Sequence, residues 1–133
     1  MPSTSRTTAT VNDHGPVVER SAVLDGYHTS FVTFGIDVDG AQLLKGLPDD
    51  RCGCPHWGYV LAGTATFTFA DRTETYVAGD AFYAPPGHTP AHSAGSELLM
   101  FSQAEELAAT EAVLVRNFEA MMAQSTTTTT TTT

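Results

Sequence analysis

From Val17 to Phe101 the chain breaks into short segments whose apolar residues tend to recur at every second position, with glycine or proline between most of them. No other feature constrains the fold as much, because successive side chains of an extended strand point to opposite faces. Val17, Val18 and Val23 open one segment, Tyr27 to Ile36 sets Phe31 and Phe34 among Thr and Ser, and residues 64 to 69 read Thr-Ala-Thr-Phe-Thr-Phe. Ala41 to Leu44, Trp57 to Leu61, Thr73 to Val77, a stretch ending at His92, and Glu97 to Phe101 complete the series. Asp37-Val-Asp-Gly40, Asp71-Arg72, Gly79-Asp80 and Pro85-Pro86-Gly87 are turn signals, and Gly46 to Asp50 reads as a loop. Many short strands at intervals of about eight to twelve residues predict an all-β sandwich or barrel.

One segment departs from this period. Between Gln103 and Gln124, Leu107, Leu114, Val115, Phe118, Met121 and Met122 follow helical spacing. Ser102 and Glu105 have the spacing of a capping box, so the sequence predicts an amphipathic C-terminal helix from about residue 103. Such a helix is expected to cover the open side of its own barrel or of a partner's. Residues 1–15 are rich in Ser and Thr and 125–133 end in a run of Thr, so neither end has the apolar side chains to offset ordering entropy. The expectation is a flexible N-terminal segment, one domain over 16–124, and a low-complexity threonine tail.

A formal charge of −9 with only six Lys and Arg argues against nucleic acid and anionic membranes as partners. No apolar run approaches a membrane span or the core of a secretory signal. Only two cysteines occur, Cys52 and Cys54, and one intervening residue is too short for an unstrained disulfide. Free thiols point to a reducing, cytoplasmic setting.

Those thiols begin the stretch with the most chemistry: Arg51-Cys-Gly-Cys-Pro-His56-Trp-Gly-Tyr. In an extended chain Cys52, Cys54 and His56 would share one face. Thiolate and imidazole are ligands for zinc, iron or copper, whereas calcium and magnesium take oxygen. About thirty residues on, His88 and His92 again share a parity. Two buried structural cysteines are the plainer alternative for Cys52 and Cys54, and His56 following two positions on favours ligation over it. His14 reads as solvated, and His28 as satisfied or exposed rather than ligating.

The spacing of these residues resembles the cupin superfamily, whose two signatures run G-x5-H-x-H-x3-4-E-x6-G and G-x5-P-x-G-x2-H-x3-N. Gly79-x5-Pro85-Pro86-Gly87 matches the front of the second, and Tyr59-Val-Leu-Ala-Gly63 the close of the first. His56 to Leu61 and Pro85 to Pro90 also resemble phrases of small bacterial single-domain cupins. The resemblance spans roughly 16–105 and implies a jelly-roll β-barrel. At the ligand positions the chain departs from the pattern. The histidine pair falls on Cys52 and Cys54, the glutamate on His56, the later histidine on Pro90, and the asparagine on Ala94. The family's three-His, one-Glu iron or manganese site therefore does not transfer. Two readings follow. In one, Cys52, Cys54 and His56 with His88 or His92 form a rebuilt site, for which zinc is expected ahead of iron or copper. In the other, the metal is lost and the barrel is a small-molecule pocket or sensor. The resemblance also implies a small-molecule substrate or ligand and a homodimer. Tyr83 is a candidate acid near the pocket mouth, and Arg51 and Arg72 are available cations.

Overall fold

The computed structural model describes residues 2–131, with side chains through Ala123. Ten strands form two antiparallel sheets. They are β1 (Thr10–Asp13), β2 (Val17–Leu24), β3 (Tyr27–Phe34), β4 (Val38–Asp39), β5 (His56–Ala62), β6 (Thr64–Thr68), β7 (Thr73–Val77), β8 (Ala81–Ala84), β9 (Thr89–His92) and β10 (Glu97–Gln103). One sheet runs β1-β2-β3-β10-β5-β8, the other β4-β9-β6-β7. Among the described residues there are also two α-helices, α1 (Gly40–Leu43) and α2 (Ala104–Thr131), and a short 3-10 turn at Pro48–Asp50. This is the β-barrel that the alternating pattern predicts, of the jelly-roll type that the resemblance implies, closed by a C-terminal helix.

Local chemistry sets the joints. Asp25 and Gly26 both take positive φ between β2 and β3, as a two-residue hairpin turn requires. Inside, Val32, Phe34, Val60, Phe67, Phe82 and Leu98 form the core, and Phe118 of α2 packs into it. Phe82 lies over Gly58, its cross-strand partner, where any Cβ would collide with the ring. Asn117 fastens α2 down by donating to the carbonyls of Leu43 at 2.7 Å and Lys45 at 3.0 Å.

Three local expectations are corrected. Ala41 to Leu44 forms no strand: Asp39 caps a helical turn by accepting from the Ala41 amide at 3.0 Å. Ser102 is not a helix cap, because it belongs to β10 and its hydroxyl is engaged by His56. Residues 10–13, read from sequence as part of a flexible segment, pair with β2 as an edge strand. Arg6, ahead of them, pairs with Glu97. Helix α2 continues past Gln124, and the side chains of the threonine run lie outside the described residues. Among the described residues, no helix is long and apolar enough to cross a membrane.

Candidate metal centre

Cys52 precedes β5, and a two-bond antiparallel bridge holds it against His88: the Cys52 amide donates to the His88 carbonyl at 2.9 Å, and the Gly87 amide to the Cys52 carbonyl at 2.8 Å. Gly87 sits at φ +94, which lets the Pro-Pro-Gly turn deliver His88 to this position. His56 opens β5. The Cys52 thiol and one ring nitrogen each of His56 and His88 lie within 4.8 Å of one another, and all three residues are buried.

The rings are oriented from behind. His88 Nδ1 donates to the Pro85 carbonyl at 2.7 Å, which leaves Nε2 as the lone-pair nitrogen. That Nε2 is buried without a hydrogen-bond partner among the described residues, in a residue 0 % exposed. His56 Nδ1 meets the Ser102 hydroxyl at 2.6 Å, so its Nε2 faces the Cys52 sulfur at 3.5 Å. Zinc with bond lengths of about 2.0 Å to nitrogen and 2.3 Å to sulfur needs nitrogen–sulfur separations close to that value. Second-side hydrogen bonds of this kind commonly orient metal-binding histidines.

Electrostatics agree with geometry. Burial lowers His56 to about 3, helped by nearby His88, and burial likewise lowers His88. Both rings are therefore neutral near pH 7 and offer lone pairs. Burial raises the Cys52 thiol, so it stays protonated until a cation draws off the proton.

Two residues of the expected set stand apart from this group. Cys54 is not among the grouped ligand atoms: residues 53–55 are not extended strand and the backbone bends at Cys54, so strand parity does not carry over from Cys52. Its sulfur donates to the Pro55 carbonyl at 3.6 Å, and the side chain packs with Leu44 and Leu107. Burial, then the neighbouring Cys52, pushes its pKa to about 11. His92 ends β9 and stacks on Phe34 at 4.6 Å, with Phe67 edge-on at 5.9 Å. It is buried and neutral, its pKa lowered to about 4 by burial, and its Nδ1 has no hydrogen-bond partner among the described residues. Tyr83 is corrected as a candidate acid. It stands on the outer sheet face, 46 % exposed, with its ring 5.0 Å from Trp57.

The three-residue group opens on a cavity of about 480 Å³ in the barrel, walled by Val32, Phe34, Phe67, Leu114 and Phe118, with His92 also in the lining. Sequence reasoning missed a second polar group, whose Glu19 and Glu111 also line the cavity. His28 of β3, the cross-strand partner of Ser102, lies between Glu19 of β2 at 3.4 Å and Glu111 of α2 at 3.5 Å. Burial, and then the charge of Glu19, lifts Glu111 to about 7. His28 and Glu19 lie on neighbouring strands of a period-two pattern, but Glu111 arrives from the helix, so spacing alone does not join the three.

No family model matches the sequence, and no curated protein matches it. Solved structures do match. An RmlC-like cupin from Shewanella frigidimarina superposes with a TM-score of 0.54 at 16% identity, over 75% of this chain and 88% of that one. A cupin superfamily protein from Desulfitobacterium hafniense gives 0.53 at 17% identity, over 77% and 90%. The polyketide cyclase RemF from Streptomyces resistomycificus gives 0.55 at 15% identity, over 78% and 80%. At such identities the likeness speaks for architecture, and together with the two sheets, the Pro-Pro-Gly turn and the inward-facing histidines it supports one conclusion: this chain is a small protein of the cupin fold.

Proposed function

We propose that the protein is a metal-binding cupin in which Cys52, His56 and His88 hold one transition-metal ion, zinc fitting best, beside a cavity that admits a small molecule. His88 carries this reading: a fully buried imidazole has one nitrogen committed to a carbonyl and the other aimed at a thiol and a second imidazole, with no partner of its own. An unpaired buried polar atom costs roughly 1–3 kcal/mol, which a metal bond would remove. One thiolate and two neutral imidazoles suit zinc, iron or copper better than calcium or magnesium. A bound ion with a ligand position open to the cavity would supply Lewis-acid polarisation of a carbonyl or activation of water. His56 and His88 would orient it, Ser102 and the Pro85 carbonyl would fix their tautomers, and the apolar walls would exclude bulk water.

The test is metal content of untagged protein, by elemental analysis, beside cobalt substitution. One equivalent per chain, with thiolate-to-cobalt charge transfer that vanishes in Cys52→Ala, is expected. A folded protein that takes up neither zinc nor cobalt refutes the assignment. The second reading, a non-catalytic binding or sensor barrel, is favoured by one observation: His92 leaves Nδ1 unpartnered in the cavity wall without joining the three-residue group. Under either reading the occupant is a small molecule, and the two buried free thiols suit a reducing compartment such as the cytoplasm. Self-association as a homodimer belongs to the same proposal, through the exposed aromatics Trp57, Tyr59, Tyr83 and Phe101 of the outer sheet face.

A further inference from the structure

Three histidines are buried, and His92 differs from the other two. The Ser102 hydroxyl and the Pro85 carbonyl each engage one nitrogen of His56 and His88, whose remaining nitrogens belong to the proposed metal group. His92 stands outside that group, and among the described residues its Nδ1 is buried with no hydrogen-bond partner. The ring is 8 % exposed and lines the cavity. Val38 of β4 and Ala65 of β6 are its cross-strand partners, and Phe34 and Phe67 flank it at 4.6 Å and 5.9 Å. A leucine would fill so apolar a place without leaving a polar atom unpaired. Buried polar groups without a partner are rare, and they mark a binding or catalytic position or an ordered water.

The rest of the lining narrows what can meet this ring. No Lys or Arg is among the lining residues, so the wall offers an anion no counter-charge. Glu19 and Glu111 already hold His28 between them at 3.4 Å and 3.5 Å, which leaves no free carboxylate for a cation. An uncharged group remains. A carbonyl oxygen only accepts, and it suits one tautomer of a neutral imidazole, whereas a hydroxyl donates and accepts and suits either. His88 and His92 both stand edge-on to the same Phe67 ring, at 5.2 Å and 5.9 Å, so a molecule held at His92 lies beside the Cys52, His56 and His88 group.

We propose that His92 recognises a hydroxyl group on an uncharged, mainly apolar small molecule, so that the cavity selects an alcohol or phenol over the hydrocarbon or carboxylate of the same shape. This names the ligand class of the cavity described above; it rests on the reading of that cavity as a small-molecule site, and not on the metal. The hydroxyl pairs with a ring nitrogen of His92, and the body of the molecule lies against the apolar lining. A cavity of about 480 Å³ has room for a two-ring body.

The experiment is calorimetric titration of the full chain, incubated with zinc, using naphthol, methylnaphthalene and naphthoate substituted at the same ring position. Naphthol is expected to bind about tenfold tighter than methylnaphthalene, because the methyl group leaves His92 unpaired, and naphthoate weakest. His92→Leu should abolish the preference for naphthol, with zinc content unchanged and a melting temperature at or above wild type. His92→Gln, which keeps a donor and an acceptor, should retain part of the preference. Should the variants not fold, NMR of wild type with labelled imidazole nitrogens decides: naphthol, and not methylnaphthalene, should shift the His92 ring nitrogens. Equal binding of naphthol and methylnaphthalene refutes this proposal and leaves the cavity a small-molecule site. No binding of any probe to folded protein refutes both. A preference that survives in His92→Leu, or that disappears with the zinc in Cys52→Ala, moves the hydroxyl to the metal and overturns the assignment to His92. If wild type takes up no zinc yet prefers naphthol, the metal reading fails and this one stands.

Discussion

The number of thiols on the metal can be read from the pH dependence of its binding. A ligand that carries a proton before binding must lose it, so the logarithm of the affinity rises with pH by one unit per proton displaced. His56, lowered to about 3, and His88, also lowered by burial, carry no proton near neutrality and contribute nothing to this slope. Cys52, raised by burial above its ordinary 9.0, is a thiol and contributes one proton. Cys54, pushed to about 11 and turned to the Pro55 carbonyl, contributes none while it stays off the metal. The expected slope is therefore one, or about 1.36 kcal/mol of binding free energy per pH unit, with tighter binding at higher pH. Competition with a chelator of known proton affinity, between about pH 6.5 and 7.5 and so above the ordinary histidine range, measures it. Cys52→Ala should flatten the slope and weaken zinc strongly, while Cys54→Ala should leave the slope at one. A slope near two would show both cysteines on the metal, and a slope of zero would remove sulfur from the site. Either result refutes the arrangement of one thiolate and two imidazoles.

Other outcomes follow from the packing. Glu111, raised from 4.5 to about 7 by burial and by Glu19, faces Glu19 on β2 and His28 on β3. A raised pKa stabilises the fold fully below the unfolded value and loses that contribution as pH rises through the folded one. Glu111→Gln should thus remove a loss of about 1–2 kcal/mol between acid and pH 8, after discounting for partial exposure, which thermal melts across pH will check. Gly63 sits at φ +72, and a Cβ there would come within 2.7 Å of the Ser96 backbone, so Gly63→Ala should cost about 2–4 kcal/mol in denaturant melts. Asn117→Ala should cost about 1–3 kcal/mol and loosen α2, seen as faster amide exchange along the helix, because two carbonyls lose their donor. Trp57→Ser with Tyr83→Ser should convert a dimer into a monomer by light scattering, and an unchanged mass would clear that face of any role in assembly.

The strands were legible because a half-buried strand announces its period: Thr64 to Thr68 and Thr73 to Val77 lie where the alternation puts them. Short apolar runs were not, since Ala41 to Leu44 fits strand and helix equally until Asp39 caps the turn. The site divided along the same line. His56 and His88 stand in punctuated motifs that the sequence displays. Period-two reasoning put Cys54 on the face of Cys52, and the bend at Cys54 breaks the extended strand which that parity assumes. His28, Glu19 and Glu111 were not grouped at all, because their meeting depends on where a helix lands after the barrel has closed. Ser102 was assigned to the wrong partner for a related reason: a capping box and a buried strand hydroxyl have the same local spelling.

The backbone clasp between Cys52 and His88 bears on how such a site can change over time. Two amide–carbonyl bonds hold those positions together whichever side chains they carry. A substitution at either position alters the donor atom offered to an ion without moving the frame that offers it. Sulfur can then replace nitrogen, or nitrogen oxygen, one mutation at a time, each intermediate still folded and still pointing inward. If these residues hold an ion as proposed, the clasp would make the ligand set a replaceable part, open to a protein engineer who wishes to exchange the donor atoms while keeping the frame.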